Sequence, residues 1–171
     1  MKEKIDWVSL GKQVGTGGGN LESVSTQDAQ RAIEILIGEE NLREAVDYYI
    51  DGKPGCELAR FVLRQFHPWS AMEYCYEIYK SDENPERRMF AVELLRAVAD
   101  KRALKWIDEF LEDDSLQIQV LGICILDYLN LNNLIILDDV EEILSKADEH
   151  SNLGVRETAQ MIRKNLNYEK N

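Results

Sequence analysis

The chain matches itself when it is shifted by 32 residues, and this internal repeat is the feature that most limits how it can fold. Residues 61–82, FVLRQFHPWSAMEYCYEIYKSD, lie over residues 93–114, ELLRAVADKRALKWIDEFLEDD, without a gap. Leu63 coincides with Leu95, and apolar positions agree where the letters differ. A weaker copy precedes this pair and another follows it. A repeat of this length is typical of solenoids, in which each unit buries its apolar face against the next.

Helical signals fill the repeating part of the chain. Apolar residues recur at helical spacing, and the composition is rich in good helix formers with only 3 prolines. Ser25 and Asp28 form a capping-box pattern, Gly38 is a stop signal, Pro85 suits the first position of a helix, and His67 before a proline suits a helix end. No segment alternates with period two over enough residues to predict a strand. The sequence therefore predicts an all-α protein with nine helices, mostly arranged in pairs.

Two segments resemble the HEAT-like helical repeats. ADKRALKWIDEFLED, residues 99–113, is similar to the second helix of such a repeat, and GVRETA, residues 154–159, is similar to the start of a first helix. The resemblance covers residues 27–166. It implies a short right-handed α-solenoid of about four helical pairs over residues 26–171, of the small bacterial stand-alone type. Residues 1–25 are then an N-terminal stub and Gly-rich linker. It also implies that the second helices line the concave face and that the array binds other proteins.

The stretch VGTGGGN, residues 14–20, has two interpretations: a phosphate-binding loop or a hinge. A phosphate loop needs a buried strand before the glycines, a helix directly after them and, in one class, a following Gly-Lys-Ser/Thr. All three signals are missing, so we interpret the stretch as a hinge and predict that it binds no nucleotide. We expect Trp7, Val8 and Leu10 to pin the stub onto the first repeat.

Few other residues carry a pattern typical of catalysis. The cysteines, Cys56, Cys75 and Cys124, form no CxxC pair and indicate free thiols in a reducing cytoplasm. His67 and His150 lie in different repeats and lack the spacing of metal ligands. The carboxylates are typical of solvated helix faces. We therefore expect no catalytic residue, no metal and no cofactor, and hence no enzyme. Neither a signal peptide nor a membrane span is predicted, which favours a cytoplasmic protein with no membrane partner.

Charge separates the two kinds of helix. The chain carries a formal net charge of −12, which disfavours nucleic acid as a partner. The second members of the pairs hold 19 acidic and 5 basic residues, whereas the first members hold 8 and 9. The second members are taken as residues 39–51, 70–82, 102–114 and 138–149. The first members are taken as residues 27–37, 56–67, 85–100, 115–131 and 152–167. A surface that concentrates carboxylates in this way attracts basic proteins.

The helical phase identifies candidate partner-binding residues on the second members. Apolar positions such as Met72 and Cys75 are expected inside, so the charged positions beside them point outward. Tyr74 and Trp106 share one repeat position and are predicted aromatic anchors among the charges. The full candidate set is Asp47, Glu73, Tyr74, Tyr76, Glu77, Trp106, Asp108, Glu109, Glu112, Glu141 and Glu142.

Two functional hypotheses follow from the fold resemblance. In the first, the chain is a non-catalytic binding protein whose acidic concave face captures a basic protein. Small acidic domains of this kind resemble immunity proteins that neutralise a cognate toxin, and toxins of the nuclease class are often basic. In the second, the scaffold carries an enzyme or nucleic-acid function, as in HEAT-like DNA glycosylases or bilin lyases. The acidic second helices lack the basic lining that a DNA glycosylase needs, and no bilin pocket is identifiable, so the first hypothesis is favoured.

Overall fold

The computed structural model describes residues 4–16 and 25–168, and every regular element in these two ranges is a helix. The all-α prediction is confirmed. In chain order the elements are α1 (Trp7–Val14), α2 (Thr26–Ile37), α3 (Glu39–Ile50), α4 (Cys56–Phe66), α5 (Trp69–Ser81), α6 (Pro85–Val98), a 3₁₀ helix (Lys101–Trp106), α7 (Ile107–Leu111), α8 (Leu116–Leu131), α9 (Leu137–Asp148) and α10 (Leu153–Tyr168). Across the two described ranges, no helix combines the length and apolar character needed to traverse a bilayer.

Local sequence signals set several helix boundaries. The capping box of α2 is present, because Asp28 N–H donates to Ser25 Oγ at 3.1 Å and Ser25 N–H donates to Asp28 Oδ2 at 2.9 Å. Gly38, at φ 86°, ends α2 in a conformation that a side chain disfavours. Pro85 is the first residue of α6, and His67 ends α4. These four boundaries confirm the predictions made from the same residues.

The N-terminal stub contains a helix that the sequence pattern did not predict. Asp6 begins α1 by accepting hydrogen bonds from the Val8 and Ser9 N–H groups, each at 3.1 Å. α1 packs against α2, and Leu10 is buried as expected. Trp7 and Val8 are 67% and 57% exposed, so the expectation that they pin the stub is wrong. Residues 17–24 lie outside the described part of the chain, and the absence of nucleotide binding at residues 15–20 stays a prediction.

The element expected as one helix over residues 102–114 is divided in two. Its first half is the 3₁₀ helix, and α7 begins only at Ile107. Asp100 begins the 3₁₀ helix: its Oδ1 accepts from the Arg102 N–H at 2.8 Å, and its carbonyl accepts from the Ala103 N–H at 3.0 Å. This bond spans three residues instead of four, which is the geometry of a 3₁₀ turn. The change of helix type alters the direction of every side chain in the segment.

The helices pack mainly against neighbours in the chain order. α4, α6, α8 and α10 contact one another in succession, and we call them the first-row helices. α3, α5, α7 and α9 are the second-row helices, with direct packing of α3 on α5 and of α7 on α9. Each second-row helix also packs on the first-row helix that follows it. Two rows of helices therefore enclose one apolar core.

Several residues that coincide in the 32-residue self-match occupy equivalent positions in this core. Leu63 in α4 and Leu95 in α6 are both fully buried. Cys75 and Ile107 are likewise fully buried, which confirms that Cys75 is a core residue. Burial raises the pKa of its thiol, so the sulfur remains protonated and unreactive at neutral pH. At these positions the repeated residues also share the same degree of burial.

A carboxylate from α2 caps α5 across the interface between the two helices. Glu34 Oε1 accepts the Trp69 N–H at 2.7 Å, and Glu34 Oε2 accepts the Ser70 N–H at 3.4 Å. The residue before α5 is Pro68, which offers no capping side chain of its own. α2 buries none of its residues, so this capping interaction is its main polar attachment to the rest of the fold.

α7 approaches α8 closely at Gly122, where there is no space for a side chain. A Cβ atom at this position would lie 2.5 Å from Cβ of Phe110, which is fully buried. We expect Gly122→Ala to lower the free energy of unfolding by about 1 kcal/mol, because an overpacking cost of about 2 kcal/mol exceeds the gain in helix propensity of about 1 kcal/mol. Chemical denaturation measures the change. Gln117→Ala is the control, because Gln117 is exposed on the same helix. Unchanged stability of Gly122→Ala would contradict the close contact between Gly122 and Phe110.

Candidate protein-binding surface

Ion pairs join the four second-row helices in series. An arginine of α3 pairs with a glutamate of α5, a lysine of α5 with a glutamate of α7, and a lysine of α9 with an aspartate of α7. The pairs are Arg43–Glu77 at 3.0 Å, Lys80–Glu109 at 3.3 Å and Lys146–Asp108 at 2.6 Å. They place the outward faces of α3, α5, α7 and α9 on one surface, which we call the acidic surface.

Five of the predicted partner-binding carboxylates pair with a cation on another helix. Three of them, Glu77, Asp108 and Glu109, belong to the ion pairs between second-row helices. The other two pair with arginines of first-row helices: Asp47 with Arg87 at 2.8 Å and Glu141 with Arg163 at 2.6 Å. These five carboxylates connect helices to one another, so their charge is partly neutralised within the molecule.

Glu73, Glu112 and Glu142 are the predicted carboxylates with the least internal engagement. Glu73 and Glu112 are exposed and have no ion pair or hydrogen bond with the residues that the structure describes. Glu142 has a side chain that is 86% exposed, and the one cation paired with it in the described ranges is Lys146, at 3.4 Å on the same helix. These three carboxylates lie on α5, at the end of α7 and on α9. Glu73 and Glu112 leave the acidic surface with negative charge that no cation of the described residues neutralises, and Glu142 adds a largely exposed carboxylate.

Arg87 is an ion-pair centre that the charge pattern did not identify. It lies on α6, yet it pairs with Asp47 of α3, with Asp51 directly after α3 and with Asp82 directly after α5. Its hydrogen bonds to these carboxylates, with Asp82 first, raise the pKa of the guanidinium. Asp47 also accepts the Tyr74 hydroxyl at 2.9 Å. Asp47 is therefore a structural residue, and the sequence separation of about one repeat is the only signal that could have paired it with Arg87.

Tyr74 and Trp106 do not form the exposed pair that their shared repeat position predicted. Tyr74 is half-buried, with the Arg43 guanidinium 4.6 Å from its ring centroid. Trp106 is only 6% exposed, so its assignment as a surface anchor is wrong. The indole of Trp106, at the end of the 3₁₀ helix, stacks with the rings of both Trp69 and Tyr76, and these contacts hold it inside.

Tyr76 was expected to point outward and instead joins the aromatic core to the acidic surface. Its ring stacks on Trp106 at 4.7 Å between centroids, and its hydroxyl donates to Glu109 Oε2 at 2.5 Å. Loss of solvent around the hydroxyl, together with the Glu109 carboxylate, raises the pKa of Tyr76 to about 12. The same hydrogen bond lowers the pKa of Glu109, with a smaller effect from Lys80. Glu109 is thus held as a carboxylate by a donor from the neighbouring helix.

Comparison of the chain with protein-family models, with curated proteins and with solved structures found no match. The basis for a functional proposal is therefore the charge and geometry of the acidic surface, together with the repeat that positions it.

The burial of Trp106 is testable through stability. We expect Trp106→Ala to lower the free energy of unfolding by about 3–5 kcal/mol, because the substitution removes a core aromatic side chain and leaves a cavity. Urea denaturation measures the loss. Trp7→Ala is the matched control, since Trp7 is 67% exposed and its loss should change the stability by at most about 0.5 kcal/mol. Equal stability of the two variants would show that Trp106 is not part of the core.

The hydrogen bond from Tyr76 to Glu109 predicts a pH-dependent contribution to stability. A carboxyl group whose pKa is lowered by folding stabilises the protein above its unfolded pKa, 4.5 for Glu109, and this contribution disappears as the pH falls. We expect Glu109→Gln to lower the free energy of unfolding by about 1 kcal/mol at neutral pH and by much less at about pH 3.

Urea denaturation of Glu109→Gln and of the parent chain at both pH values measures this difference. Glu73→Gln is the control, because Glu73 accepts no hydrogen bond from the described residues. If Glu109→Gln lowered the free energy of unfolding by the same amount at both pH values, the stabilising role of the Tyr76–Glu109 hydrogen bond would be contradicted.

Proposed function

We propose that the chain is a non-catalytic binding protein that captures a basic protein on its acidic surface. The observation that carries this proposal is the set of predicted carboxylates that pair with no cation of another helix among the described residues. Glu73, Glu112 and Glu142 extend the negative surface across three second-row helices, and the chain as a whole has a net charge of −12. Such a surface accelerates the approach of a positively charged partner and disfavours acidic ones.

The internal ion pairs contribute to this function by fixing the surface before the partner arrives. Arg43, Lys80 and Lys146 each hold a carboxylate of a neighbouring helix, so the spacing of the helices is set within the free protein. A surface that does not reorganise on binding loses less conformational entropy. The partner therefore meets a preformed pattern of charge, in which carboxylates without an interhelical cation lie among the ion pairs.

The architecture proposed for this role is a right-handed HEAT-like solenoid with the acidic surface on its concave side. The neighbour-to-neighbour packing of the two rows and the equivalent burial of Leu63 and Leu95 support this arrangement. Extended surfaces of stacked helical pairs are commonly used for protein binding. A cytoplasmic immunity protein with a cognate basic toxin is the form of the proposal that the resemblance to small bacterial repeat proteins favours.

Selective charge reversal tests the acidic surface. We expect the triple variant Glu73→Lys, Glu112→Lys and Glu142→Lys to remain folded, since an exposed charge contributes at most about 1 kcal/mol to stability. Its association with the basic partner should be slower than that of the parent chain by about tenfold or more at low salt. The difference between the two association rates should become smaller at high salt, because salt screens the charges. The partner is first isolated by affinity capture on the parent chain, and its association rate is then measured by biolayer interferometry.

A second triple variant with the same change of net charge is the matched control. It carries Glu57→Lys, Glu83→Lys and Glu157→Lys, which are exposed positions outside the second-row helices. Binding by this control should stay within about threefold of the parent chain. Equal losses in the two triple variants would show that only the total charge matters, and failure of the parent chain to capture any basic protein would overturn the proposed function.

A further inference from the structure

A polar cleft of about 400 Å³ lies between α2 and the start of α5, and none of the predicted partner-binding residues lines it. Small-molecule sites have volumes of about 300–1,000 Å³, so the cleft falls in that size class. α2 supplies one wall with polar side chains, among them Gln27, Gln30 and Arg31. Trp69 and Arg102 supply the other wall. The cleft thus combines an aromatic surface with hydrogen-bond donors.

The aromatic wall is rigid because other rings support it. Trp69 stacks on Trp106 with 5.3 Å between centroids and 8° between ring planes, and Trp106 stacks in turn on Tyr76. Trp69 is also fixed through its backbone, where its N–H donates to Glu34. A side chain that is held in this way loses little entropy when a ligand packs against it.

Arg102 is held beside the Trp69 ring by its own hydrogen bonds. Its guanidinium carbon lies 5.0 Å from the Trp69 ring centroid. Its Nε and Nη2 atoms donate to the Asp100 carboxylate, and Nη2 also donates to the His67 carbonyl at 3.1 Å. The planar guanidinium and the indole form a preorganised surface for a flat ring.

The two acidic side chains of the cleft are engaged in helix capping. Asp28 Oδ2 accepts from the backbone and side chain of Ser25, at 2.9 Å and 2.7 Å. Glu34 caps α5 through Trp69 and Ser70. Both carboxylates therefore accept hydrogen bonds at helix N-termini, where they stabilise the fold.

Arg31 is the second arginine of the cleft, and its guanidinium has no hydrogen-bond acceptor among the described residues. Among the described residues it has no ion pair and no hydrogen bond, although Asp28 is close enough to feel its charge. Gln27 and Gln30, on the same helix, also make no side-chain hydrogen bond with the described residues. A guanidinium with free donors pairs most strongly with a carboxylate or a phosphate.

We propose that this cleft binds a small molecule that carries a planar aromatic ring and an anionic group. The ring packs against the wall formed by Trp69 and Arg102, and the carboxylate or phosphate accepts hydrogen bonds from Arg31 with support from the α2 carboxamides. This site is separate from the acidic surface and does not depend on the capture of a basic protein.

Chemical-shift mapping of the folded chain with two ring-bearing anions tests the site. Indole-3-acetate supplies a carboxylate and adenosine monophosphate supplies a phosphate, so the two probes distinguish the anion. Indole, adenosine, acetate and inorganic phosphate are the corresponding fragments. We expect at least one complete probe to shift the Trp69 indole N–H signal at lower concentration than any of its fragments. The indole of Trp7, which is 67% exposed, reports non-specific stacking on the same spectrum.

Substitution of the unpaired arginine provides the second measurement. Arg31→Ala should weaken binding of the complete probe by about tenfold or more, because it removes a charge-assisted hydrogen bond. Arg60→Ala is the matched control, since Arg60 pairs with Glu57 on α4 and does not line the cleft. The circular dichroism of both variants should match the parent chain.

Three results would overturn the proposal. The first is the absence of any Trp69 shift with either complete probe at millimolar concentration. The second is equal binding of the complete probe by Arg31→Ala and the parent chain, which would show that Arg31 does not bind the anionic group. The third is equal binding of a fragment and its complete probe, which would show that ring and anion are not recognised together.

Discussion

A unit of two short helices cannot bury its own apolar face, and the rest of this structure depends on that constraint. Each first-row helix packs on its successor, so Leu63 and Leu95 reach the same fully buried environment one repeat apart. Contacts between helices therefore supply the apolar burial on which stability depends. The tight contact of Gly122 with Phe110 shows how little space these interfaces leave. Residues that are not needed for this packing are available for charge and recognition.

The charges of the second-row helices divide into two groups with different roles. One group crosses between helices, as in Arg43–Glu77 and Lys146–Asp108, and holds neighbouring units at a constant spacing. The other group, represented by Glu73, has no internal cation among the described residues. Exposed ion pairs contribute little energy individually, but a series of them fixes geometry across several helices. The net negative surface is therefore both ordered and incompletely neutralised.

The aromatic residues connect the two proposed sites within one packed path. Trp69 forms a wall of the cleft, Trp106 stacks behind it, and Tyr76 stacks on Trp106 and donates to Glu109 on the acidic surface. Trp106 is the last residue of the short 3₁₀ helix and is buried between these rings. Its burial removes a surface anchor and supports the Trp69 wall of the cleft.

The sequence by itself determined the helical class, the repeat, the core positions such as Cys75 and several helix ends, because these depend on apolar periodicity and on capping groups a few residues away. It also located the acidic excess on the second-row helices. Only the tertiary structure decided which carboxylates have internal cations and that Trp106 is buried. The partners of Asp47 and Asp108 lie about one repeat away in the chain. Such pairs depend on how helices pack and turn in space, which local spacing does not encode.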